Sequence, residues 1–200
     1  MNNVVVFGGS GFLGSHVCDK LMESGYDVTI FDNKESEFIK GKYNIIIGDI
    51  LSEKKVDKAV EKANIVFNFA GLADLDAAKF DPISTINYNI LGNTIILEAC
   101  RKAGIDRFVF ASSVYVYSSS GGFYRCSKQA CEQYIENYHA IYDLDYTILR
   151  YGSLYGPRSN LHNGIYRFIK QALTEKKMVF MGKPDSKREF IHVEDAAEGS

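Results

Sequence analysis

Positive charge is not in surplus here: 23 lysines and arginines stand against 25 acidic residues, giving a net charge of −2 and an isoelectric point near 6.1. That excludes the basic face by which proteins hold nucleic acid or an anionic membrane. No apolar run approaches the length of a bilayer span, and no basic segment followed by an apolar one opens the chain. Neither a transmembrane nor a secretory segment is expected, and the expected compartment is the cytoplasm. Cysteine is scarce and unpatterned. Cys18, Cys100, Cys126 and Cys131 fall in helical stretches without paired metal-ligand spacing, as expected of reduced, structural thiols. His16, His139, His162 and His192 form no local metal signature, so no metal is expected. Repeats, low-complexity tracts and an obvious linker are also missing. What remains is a chain of 46% hydrophobic and 13% aromatic residues, ample for a globular core in one or two domains.

The most informative segment comes first. Val4, Val5, Val6 and Phe7 read as a buried strand that breaks into Gly8-Gly9-Ser10-Gly11-Phe12-Leu13-Gly14 and then into a helical pattern. The spacing Gly8, Gly11, Gly14 answers three physical demands: a sharp turn, close approach of backbone to a pyrophosphate, and tight packing of the helix on the strand. Phosphates would then lie over unpaired N–H groups at a helix N-terminus. A second strand at residues 27–31 runs into Asp32, about twenty residues beyond the glycines, where a carboxylate can accept hydrogen bonds from an adenosine ribose diol. The same carboxylate would repel a 2′-phosphate, which favours NAD over NADP, and Lys34 nearby softens that preference.

Strands and helices alternate along the rest of the chain. Further strands are predicted at residues 43–47, 65–69, 107–111 and 146–150. Predicted helices follow at 52–63, capped by Ser52, at 82–103, closed by Gly104, and at 123–142. This order predicts an α/β fold, a Rossmann-like doubly wound parallel sheet with helices on both faces and ligands at the carboxyl ends of the strands. Gly8, Asp32, Asp49, Ala70, Ser113 and Tyr151 all fall near those ends.

A second constellation follows the fifth strand: Ser112-Ser113, then Tyr124-Arg125-Cys126-Ser127-Lys128. Tyr124 and Lys128 share a helical face, so the ammonium can stabilise a phenolate and make Tyr124 a usable acid or base. Ser113 would hold a substrate hydroxyl in line. Lowering a phenol pKa from about 10 to about 7 takes roughly 4 kcal/mol, within reach of a desolvated cation helped by a nicotinium ring. The spacing recurs at Tyr166 and Lys170, but only Tyr124 starts a helix just after a strand ending in serine.

With these pieces in order, the chain resembles the extended short-chain dehydrogenase/reductase family, in its NAD-dependent sugar-nucleotide epimerase/dehydratase branch. Carrying the resemblance are the glycine loop, Asp32-Asn33, Gly48-Asp49-Ile50, Phe69-Ala70-Gly71-Leu72, Asn89-Ile90-Leu91-Gly92 and Ser112-Ser113 with Tyr117. Tyr124 with Lys128, Leu149-Arg150-Tyr151, Leu154-Tyr155-Gly156-Pro157 and Arg188-Glu189-Phe190-Ile191-His192-Val193 complete it.

The resemblance implies roles. Ser113, Tyr124 and Lys128 would be the catalytic set. Gly8, Gly11, Phe12, Leu13 and Gly14 would serve the pyrophosphate, Asp32 and Asn33 the ribose, and Asp49 and Ile50 the adenine. Phe69, Ala70, Gly71, Asn89, Tyr151 and Gly152, with Tyr124 and Lys128, would complete the cofactor site. Ser153 and Arg188 would meet a nucleotide-sugar substrate. Residues 1–160 would form the NAD-binding domain and 161–200 the start of a small C-terminal substrate domain, shorter than in similar proteins. No acid occurs at Val114-Tyr115-Val116, where 4,6-dehydratases carry an acidic pair. The implied reaction is therefore C4 epimerisation through a transient 4-keto sugar. The alternatives are a 4-keto reductase or dehydrogenase of the same family, or a non-catalytic NAD-binding module. The link from Tyr117 to Tyr124 is shorter than in similar proteins, and Ser153 stands where many have asparagine; both bear on substrate choice. The resemblance also implies a homodimer formed by helices 82–103 and 123–142 through apolar positions such as Ile96, Ile135 and Tyr138.

Overall fold

The computed structural model describes residues 2–180 and 187–200. Six strands, β1 (Asn3–Phe7), β2 (Asp27–Asp32), β3 (Asn44–Ile47), β4 (Ile65–Asn68), β5 (Arg107–Ser113) and β6 (Tyr146–Tyr151), pair in parallel in the order β3-β2-β1-β4-β5-β6. This is the doubly wound order, and its switch point lies between β1 and β4. Strands covered on both faces become continuous apolar runs. Val4 to Phe7 are all buried, with Val5 and Phe7 facing one core and Val4 and Val6 the other.

The first core also takes residues of α2 (Glu53–Val60), α5 (Gly92–Ala103) and α6 (Gly122–Tyr142). The second takes Val17 and Cys18 of α1 (Phe12–Glu23), Ile39, and Ala197 of α8 (Val193–Glu198). Two short helices, α3 (Leu75–Phe80) and α4 (Pro82–Thr85), follow β4. Asp74 caps the first by accepting the Ala77 N–H at 2.8 Å, and Asp81 caps the second by accepting that of Ser84 at 2.9 Å. Beyond β6 lie β7 (Ser153–Tyr155), α7 (Gly164–Glu175) and β8 (Phe190–His192). Strands β7 and β8 pair in parallel as a separate two-stranded sheet.

Three expectations need correction. The helix predicted over 82–103 is α4 and α5 joined by a π-helical turn, Ile86–Leu91. Gly92 follows that turn, and a Cβ there would sit 2.6 Å from Ile50 Cδ1, so glycine lets α5 start close against the Ile50 side chain. Ser52 occupies the cap position of α2 but its side chain makes no capping bond, and the helix ends at Val60 rather than 63. Ile96 and Ile135 do not lie on an outer face: at 0% and 1% exposure they belong to the core between sheet and helices. Four strands also end differently from the prediction. Strand β4 stops one residue earlier, while β2, β5 and β6 run on to include Asp32, Ser113 and Tyr151.

Candidate active site

The glycine loop turns at the switch point. Gly8 has φ +77°, and a Cβ on it would lie 2.7 Å from the Ala70 nitrogen, so glycine is required for conformation and for space. A Cβ on Gly14 would collide with the Gly8 carbonyl oxygen. Gly11 caps α1 without a side chain, and its own N–H is turned back to the Gly8 carbonyl at 3.0 Å. The N–H groups of Phe12, Leu13 and Gly14 therefore open the helix without partners inside it, an anion site in waiting.

Beside this loop lies a cleft of about 440 Å³ at the carboxyl ends of β1, β2, β3 and β4. Gly8, Gly11, Asp32, Asn33, Asp49, Ile50, Phe69, Ala70 and Gly71 all line it. The sequence reading did not single out Tyr88, which also lines it and brings its hydroxyl to 3.5 Å from Asp49 Oδ2. Tyr88 lies on the π-helical turn, and no sequence period announces where such a turn will aim a side chain.

Asp32 Oδ2 accepts the Ser10 N–H at 3.0 Å and Oδ1 the Lys34 N–H at 3.3 Å. Burial pushes its pKa up, and these N–H donors oppose the rise. A carboxylate has about four lone-pair sites, so two remain for a diol. Together with the open N–H groups of α1 and the Gly8 cradle, the residues present fit a dinucleotide.

Asn89 stands behind the cleft wall. Its Oδ1 accepts the Leu72 N–H at 2.7 Å, and its Nδ2 donates to the Leu72 carbonyl at 3.1 Å and to Ser127 Oγ at 2.9 Å. That side chain fastens the loop after β4 to α6. Ile50 likewise turns its side chain into the core.

At the next two strands sit Ser113, Tyr124 and Lys128. Ser113 ends β5, and its Oγ accepts the Tyr115 N–H at 3.3 Å to start a 3₁₀ turn, Val114–Tyr117. Tyr124 lies in the first turn of α6, edge-on to the Tyr115 ring at 6.5 Å. Lys128 is 7% exposed; its Nζ donates to the Ala111 carbonyl at 2.7 Å and lies 5.7 Å from the Tyr124 ring centroid. Burial pushes the Tyr124 phenol up to about 12, opposed by a hydrogen bond with Ser113, and pushes the Lys128 ammonium down. The expected lowering of the phenol pKa is thus not made by the polypeptide alone, where desolvation dominates.

Tyr151 pairs with Ser113 across β5 and β6, and its hydroxyl lies 2.7 Å from Ser200 Oγ. Gly152 passes tightly by Glu189, whose carbonyl oxygen would sit 3.1 Å from a Cβ there. Ser153 donates its N–H to the same carbonyl at 2.9 Å. The β7–β8 pairing thereby sets Glu189 and Phe190 beside Gly152 and Ser153, with Arg188 exposed just ahead of β8. The second Tyr/Lys pair, Tyr166 and Lys170, lies on exposed positions of α7, apart from this group.

Comparison with known proteins agrees with this arrangement. Among curated relatives, the UDP-glucose 4-epimerase of Rhizobium meliloti is 30% identical over 75% of this chain and 51% of its own length. The UDP-N-acetyl-alpha-D-glucosaminuronate decarboxylase of Bacillus cytotoxicus is 30% identical over 98% of this chain and 69% of its own. Among solved structures, the Thermus thermophilus UDP-glucose 4-epimerase complexed with NAD superposes with a TM-score of 0.88 at 28% identity, covering 98% of this chain and 72% of that one. The family model for NAD-dependent epimerases and dehydratases matches residues 4–200, taking in the glycine loop, the cleft and the Ser-Tyr-Lys group alike, so the chain belongs to the NAD-dependent epimerase/dehydratase family.

Proposed function

We propose that the protein is a sugar-nucleotide C4 epimerase. The observation that carries this reading is the buried Lys128 on α6, its Nζ 5.7 Å from the Tyr124 ring centroid, with Ser113 ending β5, two strands from β1 and its glycine-lined cleft. NAD, when bound, supplies the hydride acceptor and donor. Asp32 holds the adenosine ribose, and the open N–H groups of Phe12, Leu13 and Gly14 hold the pyrophosphate.

Ser113 orients the sugar 4-hydroxyl, and Tyr124 removes its proton as the C4 hydride leaves. Ionising at pH 7 a phenol whose pKa is about 12 costs about 7 kcal/mol. Tyr124 therefore stays protonated at rest, and Lys128, with its Nζ 5.7 Å from the ring, would hold the phenolate as it forms. Arg188, a forked and permanently charged donor, grips the substrate diphosphate together with Ser153 while the 4-keto sugar turns over. Tyr124 returns the proton when hydride arrives on the opposite face. The absence of an acid from Val114-Tyr115-Val116 favours this cycle over 4,6-dehydration.

The reading extends to assembly and place. Exposed apolar side chains at Phe80, Ile83, Leu91, Tyr134 and Ile141 fit a homodimer contact along the helices from α3 to α6. Four free thiols suit the reducing cytoplasm.

The test is incubation with UDP- and dTDP-linked hexoses, following the C4 proton by NMR and the released dinucleotide by mass spectrometry. C4 inversion with NAD recovered supports the proposal, and NAD without turnover of any sugar moves the assignment to a binding module.

A further inference from the structure

Two residues of α6 spaced four apart hold two consecutive residues of β5. Lys128 donates to the Ala111 carbonyl and Glu132 Oε1 accepts the Ser112 hydroxyl at 2.5 Å, while Tyr124 lies one turn earlier on the same helix. Glu132 is only 7% exposed, and Arg150 meets it with both prongs, Nε to Oε1 at 3.0 Å and Nη2 to Oε2 at 2.7 Å. Arg150 stands opposite Ser112 in the β5–β6 register. Its guanidinium then lies over the Tyr117 ring at 4.9 Å and donates to the Tyr117 hydroxyl. The pair thus grips the chain on both sides of Ser113, at the residue before it and at the end of the turn that it starts. Side chains alternate across a strand, so fixing Ser112 to α6 fixes the rotation of Ser113 about β5.

A buried ion pair is weak evidence for stability, because apolar residues of similar volume do as well or better. Its geometry here serves placement. We propose that Glu132 and Arg150 are positioning residues that set the Ser113 hydroxyl against the Tyr124 phenol and keep Lys128 a cation. This rests on the reading of Ser113, Tyr124 and Lys128 as the reacting set. The charged and titratable groups facing Lys128 are Tyr124, Cys131 and Glu132 on α6, with Arg150 on β6 behind Glu132. Glu132 is the one carboxylate among them, and Arg150 holds its pKa down, so it stays charged. Removing that charge leaves burial to drive Lys128 toward the neutral amine.

Two variants carry the test. Glu132→Gln removes the charge, and Glu132→Gln/Arg150→Met removes the pair together, so that no buried charge is orphaned. Glu98→Gln, which breaks the half-exposed Glu98–Arg101 pair on α5, serves as control. The first readout needs no substrate: NMR titration of ¹³C-labelled lysine and tyrosine, with Tyr124 assigned by Tyr124→Phe and Lys128 by Lys128→Arg. The Lys128 midpoint is expected to fall in both variants and to stay put in the control. The second is single-turnover reduction of bound NAD by a nucleotide sugar, expected to slow by about tenfold to a hundredfold at little change in KM. The alkaline limb of its pH profile, where Lys128 loses its proton, should move downward with that midpoint. Folded variants with an unmoved Lys128 midpoint, or with an unchanged rate, overturn the proposal. If no nucleotide sugar reduces the NAD bound to the unmodified protein, the epimerase reading falls, and the titration alone decides the role of the pair.

Discussion

At Tyr124, burial sets the balance in the polypeptide alone and pushes the phenol up to about 12. Tyr124→Phe is expected to leave NAD bound while lowering the rate of its reduction by sugar about 10²- to 10⁴-fold, read as absorbance at 340 nm. Gly14→Ala is expected to lose NAD and stability together, because the added methyl meets the Gly8 carbonyl, which is backbone and cannot swing aside. Dinucleotide retention and urea midpoint check it. Residues of this kind were legible in the sequence because their constraint is local. Gly8, Gly11 and Gly14 lie within seven consecutive residues, and Tyr124 and Lys128 on adjoining turns of one helix. Tyr88 was not legible, since its place depends on a π turn stabilised by contacts made elsewhere.

Among the elements, capping separates sequence expectation from structure. Asp74 caps α3 through a bond to Ala77, whereas Ser52, the cap expected from sequence, makes no such bond. Asp74→Ala should therefore cost about 1 kcal/mol in a urea titration and Ser52→Ala no more than a few tenths. The helix from 82 to 103 shows the same limit. Its apolar pattern was readable, but the π-helical turn is held from outside: Asn89 bonds Leu72 and Ser127, and its carbonyl takes the Cys131 thiol at 3.0 Å. Partners 17 to 42 residues away decide that geometry, and no local pattern encodes them. The same holds for β7 and β8, three residues each, whose pairing sets Phe190 opposite Ser153.

For the molecule as a whole, the core and the assembly respond to different residues. Ile135→Ala should lower stability by about 2–5 kcal/mol without changing mass, because Ile135 is interior. Ile141→Asp, on a side chain 67% exposed, should leave the fold intact and convert a dimer mass to a monomer mass by light scattering. A monomer before substitution would sink the proposed assembly. Acid should unfold the protein through carboxylates that are paired in the native state. Glu132, bonded to Arg150 and Ser112, and Asp19, bonded to Tyr43 and Arg158, have native pKa values below their ordinary 4.5 and 3.8. Their stabilisation is complete above those ordinary values and is lost as pH falls through the native ones. His16 adds to the trend from a higher pH: burial lowers its pKa below 6.5, so the unfolded chain takes up a proton that the native state refuses. A urea midpoint that begins to fall below about pH 6.5 and falls more steeply once the pH drops below about 4.5 is the expected result.

The sequence by itself determined the doubly wound sheet, the dinucleotide cleft and the Ser-Tyr-Lys group, because strand alternation, glycine spacing and helical spacing are properties of neighbours in the chain. Tertiary structure alone decided that Ile96 and Ile135 face inward, that Asn89 braces a loop, and that Glu132, Arg150, Ser112 and Tyr117 close around Ser113. Those contacts join residues up to 38 apart, and their partners are chosen by strand register and helix packing, which exist only once the sheet has formed.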